Sequence, residues 1–307
     1  MYTRRSAGPV LAGRFAGACA AALALSFAIA ACGSSPTAPS TPPVVVNTPP
    51  VIDSVTVSSA RAEADQSIQV SASVKDAETP LDQLTYVWSA TPHNGTFTGT
   101  GASVSWRAPK GETSPDTYTI TLTVTEHFTS AGKPLTNVTA SSTTVHYNDS
   151  NAETVGLASL FLKDFGTFSV SPAQCVRNFA DTGIDIHGAN CTAEKAAELD
   201  QITLNRLNFQ ILNSTFTATD VTFNPTLTLG EVDGPCVFED IPDPGHFSPP
   251  NPNEGRRELV AGICQLTTIY QNFQWRLCES HFNPPFNTTP ESLIGRVPGR
   301  IRFQTPY

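Results

Sequence analysis

Residues 117–125 read TYTITLTVT, and this stretch decides the fold of the first half of the chain. The apolar residues Tyr118, Ile120, Leu122 and Val124 alternate with threonine, so one face of the segment is apolar and the other carries hydroxyl groups. This period of two residues predicts a β-strand with one face in a core and the other in water.

Similar short runs lie on both sides of this strand, between Val51 and Tyr147. They are VIDSVTVS, SIQVSASV, LTYVWSA, SVSWRAP and STTVHY. Turn residues separate them roughly every eight to twelve positions, a spacing typical of two sheets packed face to face. Trp88 and Trp106 are large enough to fill the space between such sheets. We therefore predict an all-β sandwich over residues 51–148.

The order of these runs resembles a known module. The segments TPPVIDSVTV, VKDAETPLDQLTYVWSA and DTYTITLTVTE resemble bacterial PKD and related immunoglobulin-like modules over about a hundred residues. The hallmark Trp-Asp-Phe-Gly-Asp-Gly segment of the PKD family is replaced by Val87-Trp88-Ser89-Ala90. The resemblance implies an immunoglobulin-like sandwich that acts as a spacer or an adhesive surface.

A second domain is predicted after a boundary at 148–153, where helical spacing replaces the period of two. A first helix has its apolar stripe at Leu157, Leu160, Phe161, Phe165 and Phe168. A capping box at Ser171 opens a short helix through Phe179. A third helix runs from Thr192, its predicted cap, to Asn208, with its buried side at Ala196, Leu199, Ile202, Thr203 and Leu207. Strands follow, so residues 153–307 are expected to form an α+β domain with a curved antiparallel sheet.

The closing segment WRLCESHF, at 275–282, resembles the last strand of the cone fold of nuclear-transport-factor-like and polyketide-cyclase-like proteins. In enzymatic members of that superfamily the cone encloses a pocket with an Asp/His acid-base pair. The titratable residues available for such a pocket here are His281, Asp181 and His187. A histidine near a strand end is more often a surface residue or one with an ordinary hydrogen-bond partner, so we expect no catalysis at these positions.

The N-terminus has the pattern of an export leader, with arginines followed by an uncharged apolar run from Phe15 to Ala31. The segment Ile29-Ala30-Ala31-Cys32-Gly33 resembles the bacterial lipobox, which implies a signal peptide over 1–31 and a lipid on Cys32. Gly33 after that cysteine implies sorting to the outer membrane. The alternatives are a simple secretory leader and an uncleaved membrane helix. The proline-rich residues 32–50 are expected to form a semi-extended tether.

The later cysteines are read as disulfides, because an exported chain meets an oxidising environment. Cys175 and Cys191 flank the loop between two predicted helices. Cys236 and Cys264 are equidistant from a turn at Pro250, and Cys264 and Cys278 are equidistant from one at Gln271, so only two of these three cysteines can pair with each other. We therefore predict the pairs Cys175–Cys191 and Cys236–Cys264, with Cys278 free or buried. A zinc site is the rival interpretation, but it requires close pairs such as Cys-x-x-Cys, which the sequence lacks.

Composition and the motifs that the sequence lacks argue against several classes of function. A net charge of -9 and the lack of any long Lys/Arg run argue against a nucleic-acid partner. The sequence has no glycine-rich phosphate loop, Gly-x-Ser-x-Gly, His-Glu-x-x-His or dinucleotide fingerprint, so we expect neither a cofactor nor a metal. The prediction is a non-catalytic, lipid-anchored envelope protein that binds a protein, a glycan or a small ligand. The alternative is an exported enzyme, or a small-ligand-binding protein, with a pocket in the cone-like domain.

Overall fold

A computed structural model of the chain describes residues 46–93, 95–246 and 250–283, together with the backbone of Gly299 and Arg300. The predicted leader, Cys32 and most of the predicted tether lie outside these residues. The described residues from Asn47 onward form one compact unit. Within the described residues, no helix combines the length and hydropathy that a membrane span requires.

The first part of the described chain consists of two sheets packed face to face. Its strands are β1 (Val51–Val57), β2 (Arg61–Glu63), β3 (Ser67–Lys75), β4 (Thr85–Thr91), β5 (Thr96–Thr98), β6 (Ser103–Arg107), β7 (Asp116–Ser130) and β8 (Lys133–Asn148). One sheet has the order β1-β3-β6-β5 and the other the order β2-β8-β7-β4. Residues from both sheets share one apolar core.

The alternation predicted for TYTITLTVT is confirmed in β7. Tyr118, Ile120, Leu122 and Val124 are fully buried, while the threonines between them are partly or fully exposed. Trp106 of the opposite sheet is also fully buried, and its ring lies 5.6 Å from that of Tyr118. A one-sided apolar pattern has thus placed each strand with its apolar face towards the other sheet.

The hairpin formed by β7 and β8 is longer than predicted. The two strands pair from Asp116 opposite Tyr147 to Ser130 opposite Lys133. The turn residues Ala131 and Gly132 both have positive φ, at 51° and 75°, as a two-residue turn that matches strand twist requires. The segment around this turn alternates weakly in hydrophobicity, which is why its outer half was not predicted as strand.

The predicted tether extends to Pro50, but its last residues are bound to the sandwich. Asn47 donates a hydrogen bond of 2.7 Å from Nδ2 to Oε2 of Glu126, a buried carboxylate of β7. Burial alone would raise the pKa of Glu126, but hydrogen bonds from Thr79, Asn137 and Asn47 outweigh it and lower the pKa. The chain therefore enters the sandwich at a defined point.

The second part of the described chain combines helices with a bent antiparallel sheet. Its elements are α1 (Ser150–Phe165), α2 (Pro172–Cys175), α3 (Cys191–Asn208), β9 (Phe209–Phe216), β10 (Asp220–Phe223), β11 (Leu229–Pro242), β12 (Glu258–Gln271), β13 (Gln274–Asn283) and β14 (Gly299–Arg300). The sheet order is β10-β11-β12-β13-β14, and β9 pairs with another stretch of β11. Register shifts at Glu239/Asp240 and Thr267/Thr268 are bulges, which bend strands and increase their twist.

The helical part begins at Ser150, inside the predicted boundary at 148–153. Asp149 caps α1, and its side chain accepts a hydrogen bond from the backbone of Ala152. The capping box predicted at Ser171 is present, with Gln174 as its partner, but α2 ends at Cys175 and does not reach Phe179. β8 therefore passes into α1 through a single residue, and no linker separates the two parts.

The predicted buried faces of the helices are only partly correct. In α1, Phe161 and Phe165 are buried as expected, but Leu160 is exposed, as is Phe168 beyond the helix. The predicted side of α3 is correct at Ile202 and partly correct at Leu199, which is half-buried against the core, but it is wrong at the other positions. Its buried residues are Cys191, Glu198, Gln201, Ile202, Asn205 and Asn208, whereas Ala196 and Leu207 are exposed. The side chain of Glu198 accepts a hydrogen bond of 2.8 Å from Ser280 of β13, so this helix packs through polar as well as apolar contacts.

Within the described residues the disulfides are Cys191–Cys278 and Cys236–Cys264. The predicted Cys175–Cys191 pair is wrong, because α3 packs against β13 and brings Cys191 to Cys278. Cys175 is unpaired and buried, and burial raises the pKa of its thiol. Disulfides persist in oxidising compartments, so these bonds indicate an exported protein.

Candidate functional site

The junction between the sandwich and the α+β part is held by Arg61 of β2. Its guanidinium lies 3.6 Å from the centre of the Tyr270 ring and donates 2.6 Å hydrogen bonds to the carbonyl of Leu227 and to Oγ of Ser150. Glu63 beside it completes an ion pair. The Arg61 side chain is 16% exposed, so these contacts are largely shielded from water.

The hairpin of β12 and β13 adds two further hydrogen bonds at the junction, the first of which reaches the sandwich. The Tyr270 hydroxyl donates to Oδ1 of Asn148 at 2.6 Å, and the indole N–H of Trp275 donates to Oγ of Ser150 at 2.8 Å. Burial raises the pKa of Tyr270 to about 12, although the neighbouring Arg61 opposes the shift. The Tyr270 hydroxyl therefore remains a donor at physiological pH.

The tip of this hairpin also touches the sandwich. Asn272 and Phe273 form its two-residue turn with φ of 49° and 62°, a conformation that a bulky residue such as Phe273 rarely adopts. The Phe273 ring stacks on the His146 ring with centroids 3.6 Å apart. Together with Arg61, these contacts fix the orientation of the two parts.

A cleft of about 440 Å³ opens at this junction. We call it the junction cleft. Its lining comes from three places: Glu112, Ser114 and Pro115 of the sandwich, Ala152, Glu153, Gly156, Leu157 and Leu160 of α1, and Asn178, Gln274, Trp275 and Arg276 beside the sheet. Apolar walls with a few polar groups are the usual composition of a ligand site.

Glu153 is the most constrained polar group of the cleft. Its Oε1 accepts hydrogen bonds from the hydroxyl of Ser114, from Nδ2 of Asn148 at 2.9 Å and from the backbone of Asp149 at 3.2 Å. Burial raises the pKa of Glu153, although these hydrogen bonds oppose the shift. In the described part of the chain Oε2 has no partner, so this oxygen is available to a ligand.

Two other charged residues line the junction cleft. Glu112 pairs with His93 at 3.1 Å. Arg276 donates a 2.8 Å hydrogen bond to Oε1 of Gln274 and has no carboxylate within ion-pair distance among the described residues. The cleft therefore offers two carboxylates and one guanidinium that is not neutralised by a carboxylate partner.

The three residues predicted for a catalytic pocket are not brought together. Asp181 is an exposed residue that pairs with Lys195 at 2.7 Å. His187 pairs with Glu231, and His281 pairs with Glu279 at 2.9 Å. None of the ion pairs or hydrogen bonds of the described residues joins any two of these predicted residues.

Apolar side chains fill the side of the sheet that faces the helices, where the enzyme hypothesis requires a pocket. Phe165 of α1 meets Phe238 of β11 edge to face at 5.4 Å, and Phe238 meets Phe282 of β13 at 5.2 Å. Leu162 and Leu277 belong to the same core. Between residues 46 and 283, where described, no group of three or more His, Cys, Asp or Glu residues could hold a metal ion.

Sequence reasoning missed the junction cleft, although it drew attention to two of its members. Trp275 opens the WRLCESHF segment, and Glu153 closes the predicted boundary. The segment with Trp275 indicates the fold of the second part, and Glu153 marks the end of the predicted boundary. A polar residue at a boundary and an aromatic residue at a strand start become neighbours only when β13 folds back onto the start of α1.

No protein-family model matches the chain, and no curated protein sequence matches it significantly. Weak structural neighbours include a nuclear transport factor 2 (NTF2-like) superfamily protein from Salmonella enterica serovar Typhimurium. It is 14% identical, with 46% of this chain and 94% of that chain covered and a TM-score of 0.32. A Mycobacterium tuberculosis protein of unknown function is 12% identical over 44% of this chain and 71% of that chain, with a TM-score of 0.30. At these scores the likeness carries no functional argument.

Proposed function

We propose that this chain is an exported, non-catalytic envelope protein that binds a ligand in the junction cleft. The sandwich, a PKD or immunoglobulin-like module in this proposal, serves both as a spacer and as one wall of the cleft. A lipid on Cys32 holds the protein to a membrane, and the outer membrane is the destination that Gly33 implies. The partners are then the membrane, through the lipid, and an envelope protein, a glycan or a small ligand.

The observation that carries the binding proposal is the construction of the cleft from both parts of one compact unit. Arg61 and Tyr270 hold the two parts together, and Glu153 presents a free oxygen to the space between them. A preformed site binds a ligand without first ordering its own walls, which lowers the cost of binding. The separation of His281, Asp181 and His187 and the filled apolar core support a role without catalysis.

Gly156 offers a direct test of binding. It lies in α1 on the cleft wall, and a Cβ added there would meet no atom within 4 Å. Gly156→Phe should therefore fold normally and fill the cleft. We expect compounds from a set of envelope glycans, short peptides and metabolites to raise the melting temperature of the wild type, because binding to the native state stabilises it. The same compounds should not raise the melting temperature of Gly156→Phe.

Ser159→Phe is the matched control, because Ser159 is an exposed residue of the same helix that does not line the cleft. It should respond to the ligands like the wild type. The binding proposal would be refuted if every ligand stabilised Gly156→Phe as much as the wild type, or if no compound in the set stabilised any of the three proteins.

The anchor has a separate test. Cys32→Ser should leave the protein unprocessed or released from the membrane, because the hydroxyl cannot carry the thioether-linked lipid that buries acyl chains in the bilayer. Metabolic labelling with radioactive palmitate measures the lipid directly, whereas phase partitioning would not, because an unprocessed variant keeps its apolar leader. Equal labelling of the variant and the wild type would contradict the proposed acylation.

A further inference from the structure

We propose that the ligand of the junction cleft is an extended peptide that adds as a short strand to the outer edge of β13 at Trp275. This stretch lies between the hairpin turn and the bridge at Leu277, whereas β14 pairs with the far end of β13 at His281 and Phe282. This inference rests on the proposed binding function and names its ligand class. It depends on the direction of backbone groups in β13, on the space beside them and on the charges around that space.

The backbone of Trp275 points away from β12. Trp275 lies opposite Tyr270 in the hairpin, and the amide of Tyr270 donates to the carbonyl of Thr228 at 2.8 Å, on the other side of β12. Opposite residues in an antiparallel pair either exchange both hydrogen bonds or exchange none. Since Tyr270 turns its amide to Thr228, the N–H and C=O of Trp275 face outward from the sheet edge.

Leu277, the next residue of β13 whose backbone faces outward, already pairs with another segment of the chain. Two residues further along β13, the amide of Leu277 donates to the carbonyl of Asn178 at 3.0 Å. Its carbonyl accepts from the amide of Ala180 at 2.7 Å, so the passing chain forms a short parallel bridge there. The bridge stops before Trp275, whose backbone groups have no hydrogen-bond partner among the described residues.

These unpaired groups are nearly desolvated. Trp275 is only 3% exposed, and it lines the cleft. A buried N–H or C=O without a partner costs as much as a lost hydrogen bond, so almost all such groups in proteins are paired. A strand placed in the cleft would supply the acceptor and the donor that Trp275 lacks, as in other complexes where a peptide extends a sheet.

The cleft has room for such a strand, because α1 leaves a gap opposite the edge of β13. At Gly156 the helix has no side chain, and the space beyond it is open. Leu157 and Leu160 line the same gap and would contact alternate side chains of an extended peptide. The free Oε2 of Glu153 can accept a hydrogen bond from a lysine or arginine of the peptide, and Arg276, which has no carboxylate partner among the described residues, can donate to a peptide carbonyl or hydroxyl.

The test uses synthetic octapeptides of alternating valine and threonine, with one lysine moved through every position and a fluorescein at the N-terminus. Fluorescence anisotropy with the full chain measures binding. We expect at least one peptide to bind the wild type and Ser159→Phe, and Gly156→Phe to lose that binding. N-methylation of one alternate set of peptide amides should weaken binding about tenfold, while methylation of the other set changes it far less, because only alternate amides face the sheet edge.

Hydrogen exchange supplies the direct readout. The chain has 3 tryptophans, so ¹⁵N-tryptophan labelling isolates the backbone amide of Trp275. Its exchange should slow when the peptide binds, while that of Trp106, in the sandwich core, should not change. The inference is overturned if no octapeptide binds, if both methylated sets weaken binding equally, or if the Trp275 amide exchanges at the same rate with and without peptide.

Failure of this inference can be told apart from failure of the proposed function. A glycan or metabolite that stabilises the wild type but not Gly156→Phe, with no octapeptide binding, refutes the peptide class and leaves the cleft as the binding site. Peptides that bind Gly156→Phe as well as the wild type refute both the peptide placement and the use of the cleft by peptides.

Discussion

Replacing Arg61 by alanine should loosen the contact between the two parts of the molecule. The change removes two 2.6 Å hydrogen bonds, to Leu227 and Ser150, and the stacking on Tyr270. Hydrogen bonds from a charged donor contribute at least about 1.5 kcal/mol each, and stacking of a shielded guanidinium on an aromatic ring adds roughly 1 kcal/mol. Oε1 of Glu63 would also remain buried without its partner. We expect a loss of about 4 kcal/mol, a large share of a typical stability of about 5–15 kcal/mol.

Urea denaturation of the full chain measures this loss. Tryptophan fluorescence reports on both parts, because Trp88 and Trp106 lie in the sandwich and Trp275 lies at the junction. The wild type should unfold in one transition, and Arg61→Ala should unfold earlier or in two separate transitions. Arg107→Ala is the control, because that side chain is 55% exposed and pairs with Asp65 at the surface. Such a pair contributes at most about 1 kcal/mol. A loss for Arg61→Ala no larger than that of the control would refute the assignment of Arg61 as the junction clamp.

The remaining predictions concern stability. Replacing Cys191 and Cys278 together by alanine should lower the free energy of unfolding by about 4 kcal/mol, because their bond closes a loop with a sequence separation of 87. Urea denaturation measures this loss, and a double variant as stable as the wild type would contradict the prediction. Burial, with a neighbouring carboxylate, raises the pKa of Asp233 to about 6. The native state therefore holds this proton more tightly than the unfolded chain, and stability is lost as the pH rises from about 4 to about 6. Asp233→Asn should consequently stabilise the protein by about 1 kcal/mol at neutral pH, after allowance for solvent screening, and by almost nothing below about pH 3.5; an equal effect at both pH values in urea titrations would exclude this origin. Gly156→Ala should raise the free energy of unfolding by about 0.5–1 kcal/mol, because alanine suits a helix interior better than glycine and its methyl group meets open space; a lower melting temperature in calorimetry would show that the space is not free.

The sandwich was predictable because its signal is local. The alternation of Tyr118, Ile120, Leu122 and Val124 with threonine is a property of one short segment, and any strand with that pattern has to cover its apolar face. The same holds for the capping box at Ser171, whose partners lie three residues apart. The short strands β2 and β5 were missed, because three residues are too few to show a period.

The helix faces and one disulfide depended on contacts between distant segments. A hydrophobic stripe predicted that α3 would bury Ala196 and Leu207, but the helix lies on β13 and turns Glu198 to Ser280. The predicted Cys175–Cys191 pair relied on closeness in sequence, whereas Cys278 is brought to Cys191 from across the sheet. Polar burial of this kind is favourable only when a specific partner is present, and sequence spacing does not reveal that partner.

The sequence alone determined the strand-rich first half, the helices followed by strands, and the expectation of an exported, lipid-anchored chain with disulfides. Tertiary structure alone decided the Cys191–Cys278 pair and the junction cleft. Ser114, Glu153 and Trp275 line the cleft together, and these residues lie in three separate segments of the chain. The periodicity of apolar residues indicates which side of a helix or strand is buried, but it does not indicate which other element covers that side.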